Sequence, residues 1–497
     1  MTRAKLCLTL TGKTLAEDLE TLEKYRPFVD IAELRGDFLQ EDERLSLRQF
    51  PRLAGIPCIL TIRRRIDGGM FDEGDAARTV LFARAISFAD ADRSKNFQFI
   101  DFEEDFHVAS LQDAALAFGT RIIRSVHDME HPITDIRSRL EELSSSSMEI
   151  PKIAFMPHSL DDVRRLFMEA ESLKDNNHIL VAMGELGIPS RILATKLKNF
   201  LTYTSPAETV ANTAGLAHLD PMTMNNVYHF KQLDGETKIF GITGWPLSAT
   251  SSPELHNSGY QKHKINAVYI PVKAEKFEQA LDFANSIGIQ GMSVTVPHKG
   301  SVLSYIQNQD ERVEAIGASN TILRKGSSWY AYNTDAMGFA RALLECTGLK
   351  SLAGKHVAII GAGGAAKAVA YAVKKLNGKA CIFNRTVRRA QSIAEAYGFK
   401  YAPLSPESNA LLRKYSSIII QTTSKGMNCT ESSNADNDPL FFYEFSGKEF
   451  LFDIIYVPAT TPIMARAMAE GCRVCNGYNM LLYQGYRQFE LFTGTEY

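Results

Sequence analysis

Residues 356–366 have the sequence His356-Val357-Ala358-Ile359-Ile360-Gly361-Ala362-Gly363-Gly364-Ala365-Ala366, an apolar run that passes through glycines into a helical pattern. A strand, a glycine-rich turn and a helix in this order are the context of a dinucleotide-binding fingerprint, in which backbone N–H groups approach a pyrophosphate at the helix N-terminus. The glycines alone are a weak signal. In this context they predict cofactor contacts from Gly361, Ala362, Gly363, Gly364 and Ala365.

A basic turn follows the fingerprint. About 20 residues after the glycines, where an NAD site presents an acidic side chain to the ribose, the chain has Asn384, Arg385 and Thr386, followed by Arg389. An arginine at this place favours the 2′-phosphate of NADP(H). The alternative is a solvated basic turn after a strand. We predict that these four residues bind NADP(H).

The second half of the chain is predicted to be a doubly wound α/β fold, because strand-like runs alternate with helical patterns. The runs are 238–242, 267–271, 291–296, 356–360, 379–383, 417–421 and 450–455. A polar, turn-like segment at 231–236 precedes them. We therefore predict a second domain over 237–497, with a substrate lobe at about 237–345 plus 465–497 and a dinucleotide lobe at about 350–460.

The first half shows about eight strand-like runs, each followed by a helical pattern. These runs are 6–10, 30–35, 57–63, 97–102, 121–127, 152–156, 179–183 and 199–204. Eight parallel βα units over roughly 200 to 250 residues close naturally into a (β/α)8 barrel. We predict this TIM barrel as the first domain, over 1–232.

Ionisable side chains recur at the ends of the predicted barrel strands. Residues two apart on a strand share a face. The pairs with this spacing are Glu33 with Arg35, Thr61 with Arg63, Ser125 with His127, and Lys152 with Ala154. Each residue alone has a structural explanation, as an ion-pair member or a core histidine. Their coincidence at the strand ends that hold the active site of a barrel favours a catalytic centre.

Lys152 lies in the apolar run 151–156, where a lysine must reach solvent or be held inside for a purpose. Burial and neighbouring cations such as Arg63 and Arg191 would favour the neutral amine, which is nucleophilic toward a ketone. The resulting iminium is an electron sink. His127 would remove a proton beside the iminium and later protonate the departing hydroxyl.

Two patterns in the second half suit a carbonyl reduction. The turn 244–253 is rich in hydroxyl groups and offers neutral donors to a carboxylate, although it also suits a plain loop and helix cap. Lys299 and Asp335 each follow a strand-like run. Such a pair serves as a proton relay to a ketone that accepts hydride, and spacing alone leaves an ordinary ion pair equally open.

The first half resembles type I 3-dehydroquinate dehydratase over essentially its whole length. The resemblance rests on 30–37 as the substrate-binding E-x-R strand, 125–128 as the catalytic histidine segment and 152–154 as the Schiff-base strand. It implies that His127 and Lys152 are catalytic. It also implies substrate contacts, with the arginines as a fork for a carboxylate, from Thr9, Glu33, Arg35, Arg63, Arg191, Thr204 and Glu208.

The sequence departs from this family at three places. Thr9 stands where the family often has serine, and Asp67 stands where glutamate is expected. In Thr204-Ser205-Pro206-Ala207-Glu208, where the family pattern is close to S-A-P-G-Q, Glu208 replaces a glutamine. A carboxylate there would repel the carboxylate of the substrate, so this departure predicts either a weakened substrate site or a different alignment of the loop.

The second half resembles shikimate dehydrogenase from residue 238 to the C-terminus. The matching segments are 294–299, 317–321, 333–335, 453–456 and 477–485. The resemblance implies that Lys299 and Asp335 are the catalytic pair, that Gly477 belongs to the cofactor site, and that the substrate meets Thr250, Ser252, Thr295, Asn320, Tyr456 and Gln484. The departures at Thr250, Ser293 and Ser319 remove no needed functional group.

Composition excludes several other classes of protein. The chain has 497 residues, 45% of them hydrophobic, and a formal net charge of -2, which argues against broad contact with nucleic acid or anionic lipid.

No run approaches the roughly 20 apolar residues of a membrane span, and the first ten residues lack a signal or transit pattern, so we expect a cytoplasmic protein. The seven scattered cysteines, including Cys472 and Cys475, suggest reduced thiols. No metal is implied, and a monomer is compatible with the sequence.

Together the two resemblances imply a bifunctional enzyme. The product of the first half, 3-dehydroshikimate, is the substrate of the second, which reduces it to shikimate with NADPH. One alternative function is a quinate-metabolising dehydrogenase, which Arg385 and Thr250 disfavour. A second alternative is a sensor that binds these intermediates without turnover. A sensor is expected to have lost its nucleophiles, whereas Lys152, His127, Lys299 and Asp335 are all present.

Overall fold

The computed structural model describes residues 2–87, 89–144, 149–173, 177–210, 218–247 and 250–497. By the density of internal packing, the chain divides into one unit of 1–241 with 247–289 and a second of 242–246 with 290–497. The domain boundary at 232–237 and the division into lobes remain predictions. No helix in these ranges is both long and apolar enough to cross a bilayer.

The first half forms an eight-stranded parallel sheet. Its strands are β1 (Lys5–Leu10), β2 (Ile31–Arg35), β3 (Cys58–Thr61), β4 (Phe99–Glu103), β5 (Arg121–Asp128), β6 (Glu149–Phe155), β7 (Ile179–Ala182) and β8 (Leu201–Thr204). Its helices are α1 (Leu15–Tyr25), α2 (Glu41–Arg44), α3 (Phe50–Ala54), α4 (Gly74–Ile86), α5 (Ala109–Ala117), α6 (Ile136–Leu143), α7 (Leu160–Glu171), α8 (Ile188–Ile192), α9 (Ala207–Val210) and α10 (Pro221–Asn226).

The strand order is β7-β6-β5-β4-β3-β2-β1-β8, with every pairing parallel. β7 and β8, the two ends of this order, approach each other beside Asn199, whose side chain accepts from Leu180 N at 2.9 Å and donates to Leu180 O at 2.8 Å. This amide satisfies the backbone of β7 two residues before β8 begins. The predicted (β/α)8 barrel is therefore confirmed.

The second half contains twelve strands among the described residues. They are β9 (Lys238–Gly244), β10 (Ala267–Lys273), β11 (Ile289–Val294), β12 (Asn308–Gln309), β13 (Thr321–Lys325), β14 (Ser328–Tyr332), β15 (His356–Ile360), β16 (Lys379–Asn384), β17 (Lys400–Pro403), β18 (Ile418–Gln421), β19 (Phe450–Asp453) and β20 (Arg473–Cys475). The helices are α11 (Ser252–Lys262), α12 (Phe277–Ile287), α13 (His298–Ser301), α14 (Glu311–Ile316), α15 (Asp335–Thr347), α16 (Gly364–Lys375), α17 (Val387–Tyr397), α18 (Asn409–Tyr415), α19 (Pro462–Ala469) and α20 (Tyr478–Thr493).

These strands form two six-stranded sheets. The first is mixed, with the order β10-β9-β11-β13-β14-β12, and the second is parallel, with the order β17-β16-β15-β18-β19-β20. In the parallel sheet the strand order reverses at β15, which is the switch point where doubly wound folds bind dinucleotides. The glycine-rich turn predicted to bind the cofactor follows β15 directly. The predicted Rossmann-like fold is confirmed.

Four short strands escaped the sequence pattern: β12, β13, β17 and β20. Each has two to five residues. β13 pairs with β14 in an antiparallel hairpin, and the last three residues of β13 are not buried, so its hydrophobic signal is weak.

One disulfide differs from the expectation of reduced thiols. Cys346 near the end of α15 is bonded to Cys475 at the end of β20, across a sequence separation of 129. The Cα atoms lie 6.5 Å apart. The C-x-x-C spacing of Cys472 and Cys475 therefore does not mark a pair, since Cys472 is a free, buried thiol.

Candidate active sites

The barrel holds a cavity of about 80 Å³, open to solvent, where its strands end at their carboxyl edge. Apart from the apolar side chains of its walls, it is lined by polar groups from six strands and from the segments that follow them. They are Thr9, Glu33, Arg35, Thr61, Arg63, Asp67, His127, Lys152, Arg191, Tyr203 and His218. The sequence had placed seven of these in a substrate or catalytic site: Thr9, Glu33, Arg35, Arg63, His127, Lys152 and Arg191.

Lys152 is buried inside the barrel, with 5% of its surface exposed. Its Nζ donates to Asp101 Oδ2 at 3.0 Å and lies 4.4 Å from the centre of the Tyr203 ring. The carboxylate and the aromatic ring thus hold the amine of Lys152 at the wall of the cavity.

Asp101 joins Lys152 to Arg63. Its Oδ1 accepts from Ser125 Oγ at 2.6 Å and pairs with Arg63 Nη2 at 2.9 Å. Arg63 also donates to Glu103 Oε1 at 2.8 Å. Although burial raises the pKa of Asp101, the cations Arg63 and Lys152 outweigh it and hold that pKa far below the ordinary value. The carboxylate is therefore charged.

His127 lines the same cavity from the end of β5. Burial lowers its pKa well below 6.5, and Arg63 and Lys152 lower it further, while Asp101 opposes them. Its Nδ1 is buried and has no hydrogen-bond partner among the described residues. The imidazole is consequently neutral near pH 7 and has the form required of a general base.

Further polar groups complete the cavity wall. Both oxygens of Glu33 accept from threonines at 2.8 Å, Oε2 from Thr9 and Oε1 from Thr61. Arg35 forms a bidentate pair with Asp37, at 2.9 and 2.7 Å. Arg191 comes from α8, and burial lowers its pKa to about 10. This set offers both acceptors and cations to a hydroxylated acid.

Two predicted substrate residues do not line the cavity. Thr204 is buried, and its hydroxyl donates to Cys7 O at 2.9 Å, which ties β8 to β1. Glu208 pairs with Lys24, and its second oxygen accepts from Tyr25 Oη at 3.2 Å. Because both partners belong to α1 and the Glu208 side chain is 60% exposed, its carboxylate faces α1 and solvent.

Sequence reasoning missed Asp101, Glu103, Tyr203 and His218. For Asp101 and Glu103 the signal was present, because they are two apart at the end of β4, the same spacing that selected Glu33 and Arg35. For His218 no local pattern pointed to the cavity.

The second half holds a pair of opposite charges in its own site. Lys299 Nζ donates to Asp335 Oδ2 at 2.5 Å, with 15% and 6% of the two side chains exposed. Asp335 is the first residue of α15, where the helix dipole stabilises a carboxylate. The predicted Lys–Asp pair is therefore formed.

Asn320 connects this pair to α20. Its Nδ2 lies 2.9 Å from Asp335 Oδ1, 2.8 Å from Thr334 Oγ1 and 3.1 Å from Gln484 Oε1. Its Oδ1 accepts from Thr334 N at 2.8 Å. Four of the predicted site residues, Lys299, Asp335, Asn320 and Gln484, thus share one hydrogen-bonded network, and Thr334 is a member that sequence reasoning had not assigned.

The glycine-rich turn has the shape of a cofactor cradle. Gly361 has φ 110°, and a Cβ there would lie 2.6 Å from Thr422 Oγ1. A Cβ on Gly363 would meet nothing within 4 Å, so open space lies in front of the N-terminus of α16. Ala362 and Ala365 flank these positions. Donors facing open space at a helix N-terminus fit a pyrophosphate.

The basic residues follow β16, next to β15 in the sheet. Arg385, Thr386 and Arg389 are exposed, and Asn384 Nδ2 donates to Thr386 O at 2.9 Å. Within the described ranges, neither Arg385 nor Arg389 has an acidic partner within 4.0 Å. Unpaired guanidinium groups at this edge fit a 2′-phosphate.

Gly477 has a packing role that the sequence did not reveal. A Cβ there would lie 1.9 Å from Ile454 O, so only glycine fits. Its N–H donates to Ile455 O at 3.0 Å, which ties the start of α20 to the end of β19. Thr295 follows β11 and Tyr456 follows β19, and both are half-buried.

The hydroxyl-rich turn is described in part, since Ser248 and Ala249 lie outside the described residues. Thr250 Oγ1 donates to Ser252 Oγ at 3.1 Å and accepts from Ser252 N at 3.2 Å. Ser252 is the first residue of α11. The two hydroxyls are therefore adjacent at a helix N-terminus, where they suit an anion.

The fold and the two sites define two classes of enzyme in one chain: a barrel enzyme with a buried lysine and a dinucleotide-dependent oxidoreductase. Family models match accordingly. Residues 6–234 match type I 3-dehydroquinase, 242–322 the shikimate dehydrogenase substrate binding domain, 344–456 shikimate / quinate 5-dehydrogenase, and 477–496 the shikimate 5'-dehydrogenase C-terminal domain.

Individual relatives match one or both halves of the chain. The bifunctional 3-dehydroquinate dehydratase/shikimate dehydrogenase of Arabidopsis thaliana, named chloroplastic, is 29% identical over 96% of this chain and 79% of its own. The shikimate dehydrogenase (NADP(+)) of Thermococcus kodakarensis is 33% identical over 52% of this chain and 93% of its own. The crystal structure of shikimate dehydrogenase from Aquifex aeolicus has 28% identity and a TM-score of 0.48, covering 53% of this chain and 96% of its own.

The chain belongs to the shikimate dehydrogenase family and carries a type I 3-dehydroquinase domain ahead of it. It is a bifunctional enzyme of the shikimate pathway.

Proposed function

We propose that the barrel dehydrates 3-dehydroquinate to 3-dehydroshikimate through a Schiff base on Lys152, and that the second half reduces this product to shikimate with NADPH. One observation carries the proposal: Lys152 is buried between Asp101 and the Tyr203 ring in a cavity that also contains a neutral His127. A buried amine beside a neutral base is the arrangement that iminium chemistry needs.

In the barrel, Lys152 Nζ adds to the ketone carbon, and loss of water gives an iminium. His127 removes a proton from the adjacent carbon, and the electrons move into the iminium. His127 then gives this proton to the hydroxyl group on the next carbon, whose C–O bond breaks as the enamine electrons form the new double bond, so that water leaves. A second water hydrolyses the conjugated iminium and frees the product and the amine. Asp101 stays charged throughout and stabilises the cationic intermediate. Arg191, which has a lowered pKa and lines the cavity, suits the substrate carboxylate.

In the second half, Lys299 supplies a proton to the carbonyl oxygen, and Asp335 holds the ammonium in place. Asn320 fixes the other oxygen of Asp335, and Gln484 fixes Asn320. NADPH, when bound, supplies the hydride. The residues that would hold it are the glycines of 361–364 at the pyrophosphate and Arg385 with Arg389 at the 2′-phosphate, because Gly363 faces open space at the N-terminus of α16 and the two arginines face solvent.

The remaining assignments are proposals of the same kind. Thr250, Ser252, Thr295, Asn320, Tyr456 and Gln484 would contact shikimate, and Thr9, Glu33, Arg35 and Arg63 would contact 3-dehydroquinate. A cytoplasmic location and a monomeric state remain predictions.

Borohydride trapping with 3-dehydroquinate tests the first half. We expect peptide mass spectrometry to find the label on Lys152, and the variant Lys152→Met to take up none while it keeps NADPH oxidation with 3-dehydroshikimate. Lys299→Met is the reciprocal variant, with trapping retained and NADPH oxidation lost. Binding of both intermediates with no label and no NADPH oxidation would instead identify a sensor.

A further inference from the structure

The barrel cavity contains a second histidine, His218, which lies beyond the end of β8. It lines the same wall as Lys152, Arg35 and Arg191. Glu208, on which the sequence resemblance placed a substrate contact, is turned to Lys24 and Tyr25 instead. Among the described residues of the segment after β8, the one that lines the cavity is therefore His218, with its imidazole.

The position of His218 is fixed on both sides. Ser205, the first residue after β8, donates its backbone N–H to Leu219 O at 3.3 Å, and its Oγ lies 2.5 Å from His218 Nδ1. On the other side, Asp220 caps α10 by accepting from Met222 N at 2.9 Å and Thr223 N at 3.0 Å. The contact with Ser205 after β8 and the attachment of nearby Asp220 to α10 together restrict the movement of the ring.

The surroundings make this ring neutral. Burial lowers the pKa of His218 well below 6.5, and the cations Arg191, Arg35 and Lys152 lower it further. A neutral imidazole carries one proton. Ser205 Oγ engages His218 Nδ1, so Nε2 is the ring nitrogen left for a ligand, and with the serine donating to Nδ1 the ring proton lies on Nε2.

We propose that His218 is a substrate-positioning residue of the barrel site, and that its Nε2–H donates to an oxygen of the bound hydroxy acid beside Arg191. This inference rests on the proposed function of the barrel. A neutral donor adds a directed hydrogen bond without adding a charge to a wall that already holds several cations. It also explains how the chain keeps a substrate contact on this segment although Glu208 faces α1.

Steady-state kinetics of the full-length protein with 3-dehydroquinate tests the proposal. We expect His218→Ala to raise KM by about tenfold and to change kcat by less than about threefold, as for the loss of one hydrogen bond in ground and transition state alike. His218→Phe keeps the ring shape and is expected to behave like His218→Ala. His218→Gln restores an N–H donor, and is expected to bring KM back to within about threefold of the unchanged protein.

Glu208→Gln is the matched control from the same segment, and its KM is expected to stay unchanged. NADPH oxidation by the second half reports whether each variant remains folded. An unchanged KM in His218→Ala, a KM shift in Glu208→Gln, or a loss in kcat alone would each overturn the proposal.

A binding experiment separates this inference from the proposed function. Calorimetry with 3-dehydroquinate compares Lys152→Met with Lys152→Met/His218→Ala, neither of which can form the Schiff base. About tenfold weaker binding in the double variant supports His218 even if trapping on Lys152 fails. Equal affinity, or no binding to either variant, overturns the role of His218 even if Lys152 is labelled.

Discussion

A Cβ atom on Gly364 would lie 3.1 Å from Lys299 Cβ and 3.3 Å from Lys299 Cδ. The first residue of α16 is therefore packed against the stem of the lysine whose amine meets Asp335. The missing side chain of this fingerprint glycine thus leaves room for Lys299.

Gly364→Ala is expected to lower kcat of the NADPH-dependent reaction by about tenfold, because the added methyl pushes Lys299 away from Asp335 and misplaces the proton donor. The measurement is kcat with both substrates saturating. Gly300→Ala is the control, since a Cβ there meets nothing within 4 Å although it adjoins Lys299. Equal kcat values in the two variants would show that Lys299 tolerates the contact.

Asp101→Asn is expected to abolish the barrel reaction and to destabilise the barrel. Asp101 accepts from Lys152 and Ser125 and pairs with Arg63, so the amide would leave two buried cations with less compensation. Breaking a buried pair in this way costs about 3–5 kcal/mol. We expect a lower midpoint of thermal unfolding by circular dichroism and a loss of dehydratase rate of at least about 100-fold.

The control for this prediction is Asp105→Asn, because Asp105 pairs with Arg64 while its own side chain is 58% exposed. An exposed pair contributes at most about 1 kcal/mol. A midpoint for Asp101→Asn no lower than that of Asp105→Asn would mean that the barrel does not depend on this carboxylate.

The barrel site shows what alternation along a strand predicts and what it does not. Glu33, Arg63, His127 and Lys152 were expected on one wall because strand side chains alternate, and they line one cavity. The same rule selects Asp101, which had no place in the expected chemistry. A sequence pattern fixes the face of a strand, whereas the partner of each charge depends on register between strands.

Elsewhere the sequence carried no signal at all. His218 reaches the cavity through an irregular segment after β8, and Cys346 meets Cys475 across 129 residues. Hydrophobic periodicity predicts neither contact, because neither lies within a repeating element. The Lys299–Asp335 pair is partly predictable. The sequence shows that both residues follow strand-like runs, but only the fold shows that they are in contact.

The pKa of His127 predicts the pH dependence of the barrel reaction. Burial, Arg63 and Lys152 hold this pKa well below 6.5. The base form is therefore fully present above 6.5 and is lost only as the pH falls through the lowered value. We expect kcat/KM for 3-dehydroquinate to stay level from about pH 8 down to 6.5 and to decline only when the pH is well below 6.5.

His127→Gln tests the assignment of that decline. It is expected to lose about 10²–10⁴-fold in kcat and to remove the acidic decline from the remaining rate. A decline centred at or above pH 6.5 in the unchanged protein would contradict the lowered pKa, and a decline that persists in His127→Gln would assign it to another group.

Cofactor choice is expected to depend on Arg385. Its guanidinium is exposed at the end of β16 without an acidic partner among the described residues, so it is available to a phosphate. Arg385→Ser should raise KM for NADPH at least about tenfold and leave KM for NADH within about twofold, because only NADPH carries the 2′-phosphate. The difference should shrink at high salt, since the contact is exposed and therefore screened.

Arg413→Ser is the control, as Arg413 lies in α18 of the same sheet domain and pairs with Glu444 at 3.6 Å. Equal increases for both cofactors would mean that Arg385 supports the fold of the turn rather than the phosphate, and no increase for either would move the phosphate site to Arg389.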